Sequence, residues 1–265
     1  MNQDSKIKRN IAIYIIGVLS LSAIGGVVTA SGNEIGGVIF IIGPILMMVL
    51  LRFFGGDTWK DAGLSLNIKE SWPWYLFSLL VYPIIITMVI LLGSVLGMTQ
   101  INGNLNSLLS AFGAGFAAQF LPRMIFALFE EWGWRGYLEP RLVALGVPDL
   151  RRHLFVGTVW ALWHFPLVLS TPYTEIPYAL FFPLFMVAII LTAIVYGQLR
   201  KASGTVWTSV VMHGIGNAFG WAILQNNSLT FNNKFLANPA PESIFSIAII
   251  GLLGWWMLSK RKTAA

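Results

Sequence analysis

Apolar runs separated by short polar joints dominate the chain. Eight runs stand out, at about residues 11–30, 35–54, 72–96, 108–139, 153–169, 178–199, 205–224 and 243–258. Several reach the ~20 residues that a helix needs to cross a bilayer. Only helices and closed barrels satisfy their backbone groups inside lipid, and unbroken apolar runs exclude the alternating pattern of a barrel. The pattern predicts an all-α polytopic membrane helical bundle of about eight transmembrane helices, forming a single domain over residues 1–265. Pro44 marks a kink in the second run, and Trp72, Trp74 and Tyr75 open the third at an interface. The fourth run is longer than one crossing and contains Pro122. It is expected to bend or protrude, and to stop at Pro140. The stretch 55–71 reads as a loop or short interfacial helix, and 101–107 as a plain loop.

Charge changes this picture by giving it an orientation. Only 11% of residues are charged and 56% are hydrophobic, against about 25% charged in soluble domains. Eight crossings put both termini on one side. Assigning that side as cytoplasmic gathers sixteen of the seventeen Lys and Arg there, leaving Lys234 outside. This predicts an N-in, C-in, multi-pass integral membrane protein; a bacterial cell membrane is the expected location. The basic start before the first run could mimic a secretory signal, but the run is long and is read as a retained helix. The net charge of +6 is accounted for by topology, so no nucleic acid partner is expected. Membrane lipid is the expected surrounding. With no cysteine, disulfides, thiolate metal sites and cysteine nucleophiles are excluded.

Against this background ionisable residues inside the runs are costly, and each is a functional-site candidate. Glu130 and Glu131 are adjacent, so on a helix they point about 100° apart. Glu131 has Arg135 at i+4, the favourable order for a local ion pair, which assigns this pair a supporting role. Glu130 has no such partner and is left free for chemistry. His164 and His213 lie roughly 13–17 Å from the inner ends of their runs at 1.5 Å per residue. Glu130 reaches a similar level if its helix continues beyond Glu131. Asn217 follows His213 by one turn, so both present hydrogen-bond donors to one side, as a developing oxyanion requires. A water held between Glu130 and His164 could attack a carbonyl, in a site open to cytoplasmic water. Taken singly, a buried His or Asn is more often an interhelical hydrogen bonder. Trp132, Trp134, Trp160 and Trp163 read as packing and interface residues, and His153 as an interfacial residue without a role.

Together, Glu130-Glu131-x-x-x-Arg135-Gly136, Trp160-x-x-x-His164 and His213-x-x-x-Asn217 resemble the ordered motifs of the CPBP family, the CAAX prenyl protease and bacteriocin-processing (Abi) intramembrane proteases. The resemblance covers about residues 120–220, inside a motif-bearing catalytic core of about 108–224. It implies an enzyme in which Glu130 activates water, His164 assists, His213 and Asn217 form the oxyanion hole, and Glu131 and Arg135 brace the site. Trp160 stands where phenylalanine is common.

The expected function is therefore a CAAX prenyl protease-like intramembrane endopeptidase acting on a membrane-associated protein or peptide, lipidated or not. Two mechanisms are open. A zinc ion could be held by Glu130, His164 and His213, as in a metalloprotease. A glutamate protease would need no metal. The competing class is a non-enzymatic transporter or scaffold, because embedded Glu and His can also relay protons.

Overall fold

A computed structural model of the chain describes residues 2–260. Arg261 and Lys262, counted above with the basic side, lie outside the described residues. The chain forms α1 (Gln3–Ala30), α2 (Ile35–Phe54), α3 (Ile68–Val95), β1 (Thr99–Ile101) and α4 (Leu105–Gly133). A π-helical turn, Trp134–Leu138, leads directly into α5 (Glu139–Ala144). There follow α6 (Asp149–Ser170), α7 (Tyr178–Ser203), α8 (Trp207–Leu224), β2 (Leu229–Phe231), α9 (Lys234–Ala237) and α10 (Ile244–Ser259).

The eight apolar runs are thus eight helices, and the chain is a polytopic helical bundle. Among the described residues, six spans are long and apolar enough to cross a membrane: α1, α2, α3, the continuous α4–α5 rod, α6 and α7. The other two are the 18-residue α8, which carries His213 and Asn217, and the 16-residue α10. α8 lies along α4 and α3, and α10 along α7.

Pro140 does not stop the fourth span. It follows the π turn in the first turn of α5, and Gly136 O, the carbonyl four residues before it, accepts from Arg52 instead of from a backbone N–H. The π turn before it lets the rod run on to Ala144. The rod covers 40 residues, about 60 Å at 1.5 Å per residue, twice the ~30 Å hydrocarbon core. Its first part, up to Phe126, is largely exposed.

Successive helices run in alternating directions, so the joints gather at two ends. At the basic end are the N-terminus and the α2–α3, α5–α6 and α7–α8 joints. Trp207 Nε1 there donates to Leu64 O at 2.8 Å, and Thr205 Oγ1 to Ser65 O at 2.6 Å. Asp57 of the α2–α3 joint accepts from Asn10, Tyr137 and Arg141, at 3.0, 2.7 and 3.1 Å. Arg52 Nη2 donates to Gly136 O at 2.5 Å, so this end clamps the π turn from two sides. At the opposite end β1 pairs antiparallel with β2, Thr99 against Phe231. This pairing ties the joint after α3 to the chain after α8.

His153 is a correction. It is buried rather than interfacial, with Nδ1 3.1 Å from Glu139 Oε1 and Nε2 2.9 Å from Gln198 Nε2. It joins α5, α6 and α7, because a buried carboxylate such as Glu139 needs donors from its neighbours.

The end of α4 touches α1 and α2 through a glycine. A Cβ on Gly133 would lie 2.5 Å from Pro44 Cβ and 2.5 Å from the Tyr14 hydroxyl. Small residues let membrane helices approach this closely. Gly133→Leu should therefore destabilise the protein by at least the ~1–3 kcal/mol typical of overpacking, read as a lowered unfolding midpoint in detergent. Gly113→Leu, on the same helix with nothing within 4 Å of its Cβ position, should leave the midpoint unchanged.

Candidate active site

The site is assembled where α4, α6, α7 and α8 meet. Glu131 and Arg135 are both fully buried, with Arg135 Nη1 donating to Glu131 Oε1 at 3.1 Å. The i+4 pair expected from spacing is present. The same oxygen also accepts from His213 Nδ1 of α8, at 2.9 Å. A carboxylate only accepts, so Nδ1 carries the proton and Nε2 is left to face the cavity. The guanidinium of Arg135 lies between two rings, 4.3 Å from the Trp160 centroid and 4.7 Å from that of Tyr196. Their π faces supply the contact that hydrogen bonds leave unmet.

Glu130 leaves the helix on a different side from Glu131, as adjacent residues on a helix must. It is 5% exposed. Its Oε2 accepts from Trp160 Nε1 at 2.8 Å, and its Oε1 lies 3.8 Å from His213 Nε2. Trp160 is therefore more than packing: it holds the carboxylate in place. His164, one turn further along α6, bonds through Nδ1 to Trp160 O at 2.8 Å. A carbonyl oxygen cannot donate, so Nδ1 carries hydrogen and Nε2 keeps the lone pair in the neutral ring.

The four residues expected at one level form two tiers. Glu130 and His213 are adjacent at the lower tier. His164 and Asn217 stand one turn beyond Trp160 and His213. All four line one cavity of about 880 Å³. Asn217 is exposed there. Tyr82, Thr192 and Tyr196 also line the cavity, as does Arg123, whose Nε donates to Gln119 Oε1 at 3.0 Å. No spacing rule singled these out, because each sits in an apolar run whose facing depends on neighbouring helices.

The cavity mouth is at the end opposite the basic one. Glu34, Pro172, Tyr173, Glu175, Gln225 and Lys234 line its rim, and all are exposed. No residue of the α2–α3, α5–α6 or α7–α8 joints lines it. The opening was expected at the Lys- and Arg-rich end, and the structure reverses that. Helix direction explains the reversal: His164 and Asn217 lie beyond Trp160 and His213, toward the rim. At that rim Glu242, ahead of α10, is buried, and loss of solvent pushes its carboxyl up to about 7.

Glu130, His164 and His213 were the candidate metal ligands. Among the described residues no three His, Cys, Asp or Glu side chains are grouped to hold a metal ion. His213 Nδ1 and Glu130 Oε2 are already committed to Glu131 and Trp160. The atoms left free, Glu130 Oε1, His164 Nε2 and His213 Nε2, are divided between the two tiers, so as placed they do not form a three-ligand zinc site.

Removing one partner of a buried ion pair leaves the other uncompensated, at a cost of about 3–5 kcal/mol. Arg135→Gln should lower the unfolding free energy in detergent by that order.

Residues 114–219, which contain every motif residue named above, match the family model described as type II CAAX prenyl endopeptidase Rce1-like. A stretch of 83 residues is 31% identical to "CAAX prenyl protease 2" of Methanococcus maripaludis. That stretch spans 30% of this chain and 30% of the relative. The matched core, residues 114–219, is thus similar to the type II CAAX prenyl endopeptidase Rce1-like family, and it carries the ordered motifs described above.

Proposed function

We propose that the protein is an intramembrane endopeptidase that hydrolyses a peptide bond with water activated by Glu130, without a metal. The observation carrying this reading is the state of Glu130. One carboxylate oxygen is fixed by Trp160, and the other faces a cavity that opens to an exposed rim, beside His213. A buried, oriented carboxylate within reach of water and substrate is what a general base requires.

In this mechanism Glu130 Oε1 takes a proton from water as the water oxygen bonds to the carbonyl carbon. His164 Nε2 accepts a hydrogen bond from the same water and orients it. The oxyanion forms near the Asn217 amide, and His213 in its doubly protonated form adds Nε2–H as a second donor. When the C–N bond breaks, Glu130 returns the proton to the leaving amine. The products are a carboxylate and an amine, and Glu131 and Arg135 hold the lower tier without touching substrate. The relative's printed name supports peptide hydrolysis as the chemistry. A CAAX-type lipidated substrate remains one candidate among membrane-associated peptides. Against transport, the cavity lining ends at Glu130, Trp160 and Tyr196 rather than continuing to the basic end.

Glu130→Gln should abolish cleavage of membrane peptides while the protein still inserts and folds. Asn217→Ala should lower kcat by ~10²–10³, the usual effect of losing one oxyanion donor. Comparing peptide profiles of membranes carrying wild type and Glu130→Gln reads activity and substrate together. Cleavage that persists in Glu130→Gln contradicts the reading. Chelators should leave the wild-type rate unchanged, and a rate that falls with chelator and returns with zinc would restore the metal mechanism.

A further inference from the structure

The cavity mouth and the positive charge lie at opposite ends of the bundle. The joints 31–34, 96–104 and 171–177 contain no Lys or Arg, and 225–243 contains Lys234 alone. Lys234 is offset by Glu175, 2.6 Å away across the rim. At the basic end Lys and Arg gather in the joints and in the helical turns beside them: Arg52, Lys60 and Lys69 around the α2–α3 joint, Arg141, Arg151 and Arg152 around the α5–α6 joint, and Arg200 and Lys201 before the α7–α8 joint. Short joints rich in Lys and Arg stay on the cytoplasmic side, and joints without them cross. All the exposed rim residues belong to the second group.

We propose that the cavity opens on the face away from the cytoplasm and receives an extended peptide segment exposed there. The peptide nature of the occupant rests on the reading of Glu130 as a hydrolytic base, whereas the direction of the mouth does not. A segment arriving from the cytoplasm would meet Arg135, Glu131 and the π turn before reaching Glu130. That floor is buried and fully packed. From the far side the path is open but deep. His213 lies 11 residues before the end of α8 at Leu224, about 16 Å at 1.5 Å per residue. An extended chain advances about 3.3–3.6 Å per residue, so about five residues must enter before the scissile bond reaches Glu130. A folded domain cannot do this. A loosely structured loop, tail or short peptide at the outer membrane face can.

The chain has no cysteine, so single substitutions report the mouth directly. Glu175→Cys marks the rim and Lys60→Cys the basic end, and both positions are exposed. In intact cells carrying the full-length protein, a membrane-impermeant maleimide should label Glu175→Cys. Lys60→Cys should react only after the cells are permeabilised. Labelling of Lys60→Cys in intact cells with protection of Glu175→Cys overturns the proposal. Activity is not needed for this readout. If rim labelling holds while Glu130→Gln retains cleavage, the hydrolytic reading fails and the direction of the mouth stands.

Discussion

The burial of Arg135 constrains this structure. Arg135 has no solvent exposure, and a charge in such surroundings must be met by a carboxylate and by polarisable groups. Glu131 supplies the carboxylate from the same helix, and Trp160 and Tyr196 supply rings from α6 and α7. His213 joins from α8 by donating to the same Glu131 oxygen. Four helices are thereby fixed around one point. α8 can come close enough because Gly214 has no side chain: a Cβ there would lie 3.0 Å from Met124 Cα. At the basic end, Arg52 and Asp57 hold the π turn that carries Arg135.

The chemistry follows from what this cluster leaves over. Glu131 is consumed by Arg135 and His213, whereas Glu130 keeps one oxygen free. Trp160 touches both: its ring covers Arg135, its indole N–H holds Glu130, and its carbonyl fixes the tautomer of His164. The π turn begins three residues after Glu131, and π-helical turns are frequent at functional sites. Above this floor stand His164 and Asn217, where a carbonyl entering from the rim would arrive.

Much of this was legible from the residues alone. The helices follow the apolar runs because each run must satisfy its backbone in lipid, and the boundaries agree to within a few residues for most of them. The Glu131–Arg135 pair was legible because i+4 spacing fixes it within one helix. Contacts between helices were not. Nothing in the spacing says that His213 turns its Nδ1 to Glu131, or that Trp160 is a donor rather than filler. His153 looked interfacial beside Arg151 and Arg152, yet rotation of α6 buries it against Glu139. Pro140 looked like a stop because the π turn that accommodates it leaves no mark in hydropathy. The mouth was placed at the wrong end because depth counts give a level within the membrane and not the side from which that level is reached.

The division of labour between the two adjacent glutamates can be measured without a substrate. The decisive comparison is the unfolding free energy of Glu130→Gln and Glu131→Gln in the same detergent. Gln at 130 can still accept from Trp160, so this variant should stay within about 1 kcal/mol of wild type, the usual worth of one hydrogen bond. Glu131→Gln strands a buried arginine and should lose about 3–5 kcal/mol. Equal losses in the two variants, or a larger loss at Glu130, would contradict the account.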